Sequence, residues 1–479
     1  MKRVLLTVHK FFPQHRAGTE VLTLKVAQEL QSRGYDVLVV AGNPPDVDAR
    51  RRPGQDTSEY VFEGVPVRVF EEPLRLKGYT FKHEYLHPGL KSQFVKLLDE
   101  FSPDLVHIFH CQNLSAAIIE AALEQAVPVI CSLTDFWFVC PIVQLKRPDG
   151  RVCRGPDKLA GNCLTCYTPR LFAPANQFKE AFGSKYPGVE QLLSRLPTAA
   201  ADACWNAAYG TYAAIKVPAA IEATVKRPAV LRDLLSTARA IMVPTRLMRD
   251  IFVENGIPPE LISNVPFGLD TAPLVVHRQK TASDHVRFGF IGTLFEHKGV
   301  DLLIAAFQGL PAQYNAELSI YGDPYQFPDY GPKLLELAQR PSPHSARITF
   351  GGTFPNEKLG AVLSNLDVLV VPSRWYENTP LVVQSAFATG TPVIATDLGG
   401  LSELVHHERN GLLFELNNVE SLRRQLMRVI EDRELLTRLR EGIEPERTVQ
   451  DMVDDIERVY DRTCPERAPK AVAAAEPRG

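Results

Sequence analysis

Arg3-Val4-Leu5-Leu6-Thr7-Val8-His9, then Glu20 to Arg33, then Asp36-Val37-Leu38-Val39-Val40-Ala41 decide the architecture. The first run is apolar and of strand length. The second stacks Leu22, Val26 and Leu30 at fourfold spacing, a helical period, and the third is again a short apolar run. Gly34 ends the helix. Strand, helix and strand joined by short turns make a right-handed crossover in a parallel sheet. The pattern returns at Asp104–Phe109, Leu114–Glu124 and Val127–Thr134, and again at Ala238–Val243 before a helix over Thr245–Asn255.

Past a linker at Asp270–Asp284, where Thr271-Ala272-Pro273 and polar residues break the period, a second series begins. Its strands are read at Val286–Ile291, Ala316–Tyr321, Arg347–Phe350, Asp367–Val371 and Pro392–Thr396, each followed by a helical pattern. The fold class is therefore α/β: two doubly wound Rossmann-like domains facing a central cleft, with ligands at the carboxyl ends of the strands. The expected divisions are a first domain over 1–271, a helical and cysteine-containing insertion at about 138–235, and a second domain over 284–443. A helix over 444–463 is expected to pack back on the first domain, and the tail over 464–479, rich in Ala and Pro, to be disordered.

The 479 residues exceed what one hydrophobic core organises, in keeping with two domains. Apolar residues at 45 % against 23 % charged exclude disorder over most of the chain. With 53 Lys plus Arg against 56 Asp plus Glu, the net charge of −3 gives no global positive field, which excludes general nucleic-acid binding. The apolar run Val4–Val8 is too short for the core of a signal peptide, and no run approaches the roughly 20 residues of a membrane span. The expected compartment is the cytoplasm, with the inner face of the membrane as the alternative.

Pro372-Ser373-Arg374-Trp375-Tyr376-Glu377-Asn378-Thr379-Pro380-Leu381 leaves a buried strand and opens a helix running to Thr389. Free N–H groups at that helix start suit a phosphate or a sugar hydroxyl. Taken alone, Glu377 reads as a complement to the helix dipole. Gly390-Thr391-Pro392-Val393-Ile394-Ala395-Thr396-Asp397-Leu398-Gly399-Gly400 and Glu403–Gly411 change that weighing. From Ile291 to Phe414, and more loosely from Lys2 to Asp270, the chain resembles the retaining nucleotide-sugar glycosyltransferases of family 4, which have the GT-B fold.

The resemblance implies that Glu377 contacts the donor sugar and that Asn378, Thr379, Pro380 and Leu381 belong to the donor site. Ser385 stands where the family has a second glutamate, for the ribose; its hydroxyl lacks the charge of a carboxylate acceptor. Ile291-Gly292-Thr293-Leu294-Phe295-Glu296-His297-Lys298-Gly299 leaves a strand for a helix, a geometry suited to a diphosphate, with Lys298 as the cation and Thr293 where a second basic residue is usual. Gly18, in the loop before the first helix, matches the family's glycine-rich loop. His110 and Asp135, at the ends of neighbouring strands, resemble acceptor-side catalytic positions, and Thr134 replaces a common histidine.

The implied activity is transfer of a sugar from a nucleotide-sugar donor to a glycan, lipid-linked or other cell-envelope acceptor, with no catalytic metal. A sugar-nucleotide epimerase or hydrolase on the same fold and a non-catalytic sugar-nucleotide-binding scaffold are the alternatives, the latter prompted by Thr134, Thr293 and Ser385. A dinucleotide oxidoreductase is disfavoured because no strand leads into G-x-G-x-x-G with a downstream acid. Cys140, Cys153, Cys163 and Cys166 fall in one loop, the last pair at knuckle spacing, and suggest a structural zinc. Basic and aromatic residues from Arg75 to Lys91, after Arg50-Arg51-Arg52, suit a carbohydrate, lipid-linked or membrane-surface partner, or a plain solvated face.

Overall fold

In chain order the first sheet contains β1 (Arg3–Val8), β2 (Asp36–Asn43), β3 (Thr57–Phe62), β4 (Val65–Glu71), β5 (Leu105–Ile108), β6 (Val129–Ser132), β7 (Ala240–Val243) and β8 (Ile262–Asn264). The computed structural model describes residues 2–43, 57–71, 81–171, 186–344 and 347–464. Arg50–Arg52, Lys77, Tyr79 and the tail from 465 onward lie outside the described residues, as do residues 172–185 of the insertion.

The spatial order is β3-β4-β2-β1-β5-β6-β7-β8, parallel throughout except for β3 against β4. β1 is paired on one side by β2 and on the other by β5. A central parallel strand is buried on both faces, which is why Val4, Leu5, Leu6 and Val8 form a continuous apolar run rather than an alternating one. Leu5 faces a core shared with the helices Pro88–Phe101 and Ala117–Glu124; Val4, Leu6 and Val8 face one shared with Gly18–Ser32.

The second sheet contains β9 (Val286–Ile291), β10 (Ala316–Tyr321), β11 (Ile348–Gly352), β12 (Val368–Val371), β13 (Val393–Thr396) and β14 (Gly411–Phe414). Its order is β11-β10-β9-β12-β13-β14, all parallel. In each sheet the strand order reverses beside the first strand, between β1 and β5 and between β9 and β12. The crevice at such a reversal, beyond the carboxyl ends of the strands, is where open α/β sheets bind ligands.

The insertion carries one long helix, Thr198–Leu235, with Pro218 and Pro228 inside it. Arg227 of that helix is buried; it donates to the Trp137 carbonyl at 2.7 Å and lies 5.0 Å over the Trp137 ring. The helix is thereby fastened to the segment that follows Asp135. Among the described residues no helix is long and apolar enough to cross a membrane.

The last helix, Val449–Thr463, begins at a capping box of Thr448 and Asp451 and buries Met452, Val453, Ile456, Val459 and Tyr460 in the core of the first sheet. Tyr460 meets His107 of β5 (Nδ1···Oη 2.6 Å), whose Nε2 lies 2.8 Å from Ser132 Oγ. Burial drives the His107 pKa down to about 3. An unfolded histidine gains its proton near 6.5, so the folded state binds fewer protons and loses stability as pH falls from about 6.5 toward 3. Between pH 7.5 and pH 5 this imidazole should account for about 2 kcal/mol of lost stability. Urea titrations of wild type and His107→Gln at both pH values check this, since the variant should lack that part of the slope; equal slopes would assign the loss to other groups.

Candidate active site

Two loops meet beyond β9 and β12. The loop after β9 runs from Gly292 to a 3-10 turn, Glu296–Lys298, and Gly299 begins the helix Val300–Gln308 with a φ of +69°. A side chain on Gly299 would stand 2.0 Å from the Pro372 carbonyl oxygen, so glycine is what lets this loop lie against the one after β12. Gly400 does the same from the other side, where a Cβ would come within 2.4 Å of the Glu377 carbonyl oxygen. The segment holding Glu377 is thus clamped by backbone from both directions.

Glu377 is 7 % exposed, and three donors converge on its Oε1: Lys298 Nζ at 2.6 Å, Ser373 Oγ at 2.7 Å and Trp375 Nε1 at 2.8 Å. Burial pushes the carboxyl pKa up, but the Lys298 charge and the three donors outweigh it and hold Glu377 below the usual carboxylate range. Lys298 also lies 5.2 Å over the Trp375 ring, against which His297 packs at 4.5 Å. Burial, then Lys298, lower the His297 pKa to about 3, so this ring adds no charge. Arg374 grips Asp301 with two bonds of 2.9 and 2.8 Å and fixes the loop to the next helix. Pro380 precedes the helix Leu381–Ala388 as its N-cap residue, and the buried Thr379 hydroxyl has no protein partner among the described residues.

The opposite wall is built at the ends of β1, β5 and β6. The Gln112 N–H donates to His110 Nδ1 at 2.9 Å, which leaves the proton of a neutral ring on Nε2, facing Asp135 Oδ2 at 2.5 Å. Asp135 Oδ1 accepts the Trp137 N–H at 2.8 Å. Asp135→Asn would keep that second bond only by turning its NH2 toward a ring N–H, and reversing the tautomer would set Nδ1–H against the Gln112 N–H. We expect a roughly tenfold to hundredfold fall in kcat with little change in melting temperature; an unchanged kcat would remove the pair from the reaction.

Two residues escaped the sequence reading. His9, just past β1, lies 4.4 Å from the His110 ring and 3.4 Å from Glu20, which is buried with Oε2 unpartnered among the described residues. Burial first, then the neighbouring His110, holds the His9 pKa well below normal, and burial raises that of Glu20. The available signal was position: both residues stand at the reversal point of the first sheet, where chemistry-bearing side chains are to be sought.

The two walls touch. Asn378 Nδ2 donates to the Thr134 carbonyl at 2.8 Å, and the Thr134 hydroxyl accepts from Thr19 at 3.1 Å. A Cβ on Gly18 would lie 3.8 Å from Leu381, and Lys146 reaches Glu296. Glu403 accepts from the Arg246 and Leu247 N–H groups at 2.8 and 2.7 Å, so an acid of the second domain caps a helix of the first. The structure therefore brings Lys298 to Glu377, His110 to Asp135, Gly18 to Leu381 and Asn378 to the residue before Asp135, while Gly292 begins the loop that carries Lys298. Thr293 is exposed in the β9 loop. Ser385 is not presented in the same way: it is buried, and its hydroxyl donates to the Leu381 carbonyl of its own helix at 2.8 Å.

The zinc expected on Cys140, Cys153, Cys163 and Cys166 finds no support. Among the described residues no group of three or more His, Cys, Asp or Glu is placed to hold a metal ion, and none of the four cysteines forms a disulfide. Burial, then the nearby Cys140, Cys153 and Cys166, push the Cys163 pKa up to about 12. Hydrogen bonds brace this loop. Asp157 accepts from the Leu159, Gly161 and Asn162 N–H groups, and Asn162 donates to the Gly155 carbonyl at 2.9 Å.

Comparison with known proteins accords with this geometry. The description Glycosyltransferase Family 4 matches residues 16–182, and Glycosyl transferases group 1 matches residues 276–444. An uncharacterized glycosyltransferase of Methanocaldococcus jannaschii is 33% identical over 144 residues, 30% of this chain and 35% of that protein. A GDP-mannose-dependent alpha-mannosyltransferase of Mycobacterium tuberculosis is 25% identical over 426 residues, 87% of this chain and 85% of that one. The chain thus spans about a third of the archaeal relative and most of the mycobacterial one. Among solved structures, Anabaena HepE in complex with UDP has a TM-score of 0.62 at 16% identity, covering 96% of this chain and 100% of that one. The chain belongs to the family 4 glycosyltransferases of the GT-B fold.

Proposed function

We propose that this protein is a retaining, metal-independent hexosyltransferase that takes a sugar from a nucleotide-sugar donor on the second domain and delivers it to an acceptor on the first. The observation that carries the reading is the Glu377–Lys298 pair at the reversal point of one sheet and the His110–Asp135 pair at the reversal point of the other, whose neighbours Asn378 and Thr134 are joined by a hydrogen bond. Lys298 and the N–H groups that open the helices are placed to meet charge growing on a departing diphosphate. Glu377 orients the sugar through Oε2, which no donor among the described residues reaches. The acceptor hydroxyl attacks from the face the diphosphate leaves, with His110 and Asp135 on the acceptor side; catalysis is positional and electrostatic.

The mycobacterial mannosyltransferase supports a nucleotide-sugar donor. The acceptor is read as a glycan, a lipid-linked sugar or another cell-envelope molecule. A binding scaffold without turnover is the second reading, favoured by the inward turn of Ser385. Incubation with a panel of sugar nucleotides and envelope lipids, with and without EDTA, followed by mass spectrometry, separates the readings. A glycosylated product with unchanged anomeric configuration and an EDTA-insensitive initial rate is expected. Binding without nucleotide release would favour the scaffold, and an altered sugar still on its nucleotide would favour an epimerase.

A further inference from the structure

Lys146 belongs to the first domain but its charge is delivered to the second. It lies in the loop between Cys140 and Cys153, where a bridge to Val152 and a bond of 2.6 Å from the Cys153 N–H to the Leu145 carbonyl hold its backbone. Its side chain is only 8 % exposed, and Nζ lies 2.9 Å from each oxygen of Glu296. Glu296 opens the 3-10 turn that ends at Lys298, so the ammonium stands against the same loop as Gly292, Thr293 and Lys298.

The charges around that loop are uneven. A diphosphate brings more than one negative charge, yet Thr293 is neutral, the neighbouring His297 is uncharged, Arg374 is engaged by Asp301, and Lys298 is paired with Glu377. Lys146 is a second cation, nearly buried, whose partner is by contrast 56 % exposed. A lysine taken this far from water gains from a stronger anion, while an exposed glutamate gives up its share of the pair at little cost. We propose that Lys146 is a donor-site residue supplied across the cleft: it binds the diphosphate of the donor, and Glu296 holds it in place while the site is empty. This rests on the nucleotide-sugar reading above. It makes diphosphate binding dependent on contact between the domains.

Calorimetric titration of the full chain with UDP, GDP, ADP and dTDP, and with the matching monophosphates, tests the assignment. Lys146→Met should weaken binding of the preferred diphosphate about tenfold or more and change the monophosphate less than about threefold. Lys146→Arg should retain most of the affinity. Glu296→Gln, which frees Lys146, should tighten diphosphate binding. If Lys146→Met lowers both nucleotides equally, or if Glu296→Gln weakens the diphosphate, the pair is only a latch between domains and the proposal fails. If wild type binds a diphosphate and Lys146→Met binds it unchanged, the proposal alone fails; if wild type binds none of them, the nucleotide-sugar reading falls with it.

Discussion

Glu377→Gln should lower kcat by roughly a hundredfold or more while changing donor affinity only a few-fold. The amide oxygen can still accept from Ser373 and Trp375, so the loop keeps its shape. Two things are lost: the charge that pairs with Lys298, and an acceptor at the Oε2 position, where an NH2 group would now face the sugar. Both matter most as the bond to the diphosphate stretches and charge redistributes, so the effect should fall on turnover rather than on binding. Steady-state kinetics together with calorimetric donor affinity check this. A kcat within about threefold of wild type, under roughly 1 kcal/mol, would mean that Glu377 serves only to brace the loop.

Residues that act within one loop were legible in the sequence. Glu377 follows a strand of four consecutive apolar residues and Lys298 one that is apolar but for Arg287 and Gly289, and a strand leading into a helix already places its loop at the ligand end of a parallel sheet. Relations between distant segments were not legible. His9 with Glu20, Asn378 with Thr134 and Lys146 with Glu296 depend on how sheets and domains meet, and nothing local to those residues marks the partner. The hairpin of β3 and β4 was missed for a different reason. Pro66 within Val65–Glu71 argues against a central strand, but pairing with β2 begins only at Val67, so the absent N–H breaks no bond on that side. β8 is too short, at 3 residues, to show a period. The cysteine spacing did foretell that Cys140, Cys153 and Cys166 lie near Cys163, but the Asp157 turn that braces the loop has no such spacing to announce it.

Lys298→Met should be the most damaging single change, because it removes a cation from the donor loop and from a buried carboxylate together. Donor and diphosphate affinity should fall by roughly a hundredfold, and kcat with them. Stability should fall by about 3–5 kcal/mol, the usual result of leaving one partner of a buried pair uncompensated. In wild type the depressed pKa makes Glu377 stabilising above the unfolded carboxyl value, a contribution lost as pH falls through the folded one. Without Lys298, burial dominates and the folded pKa rises above the unfolded value, so the folded state binds more protons and the sign reverses: the variant should lose stability as pH rises from about 4.5 through its new pKa. Adding Glu377→Gln to Lys298→Met removes the unpaired charge. The double variant should therefore recover most of the lost stability while staying inactive, a separation that denaturant titration at pH 5 and pH 8 alongside donor turnover can measure. If the double variant is no more stable than Lys298→Met, the charge pair is not what holds the two loops together, and the packing of Trp375, His297 and the glycine-mediated backbone contacts must do so instead.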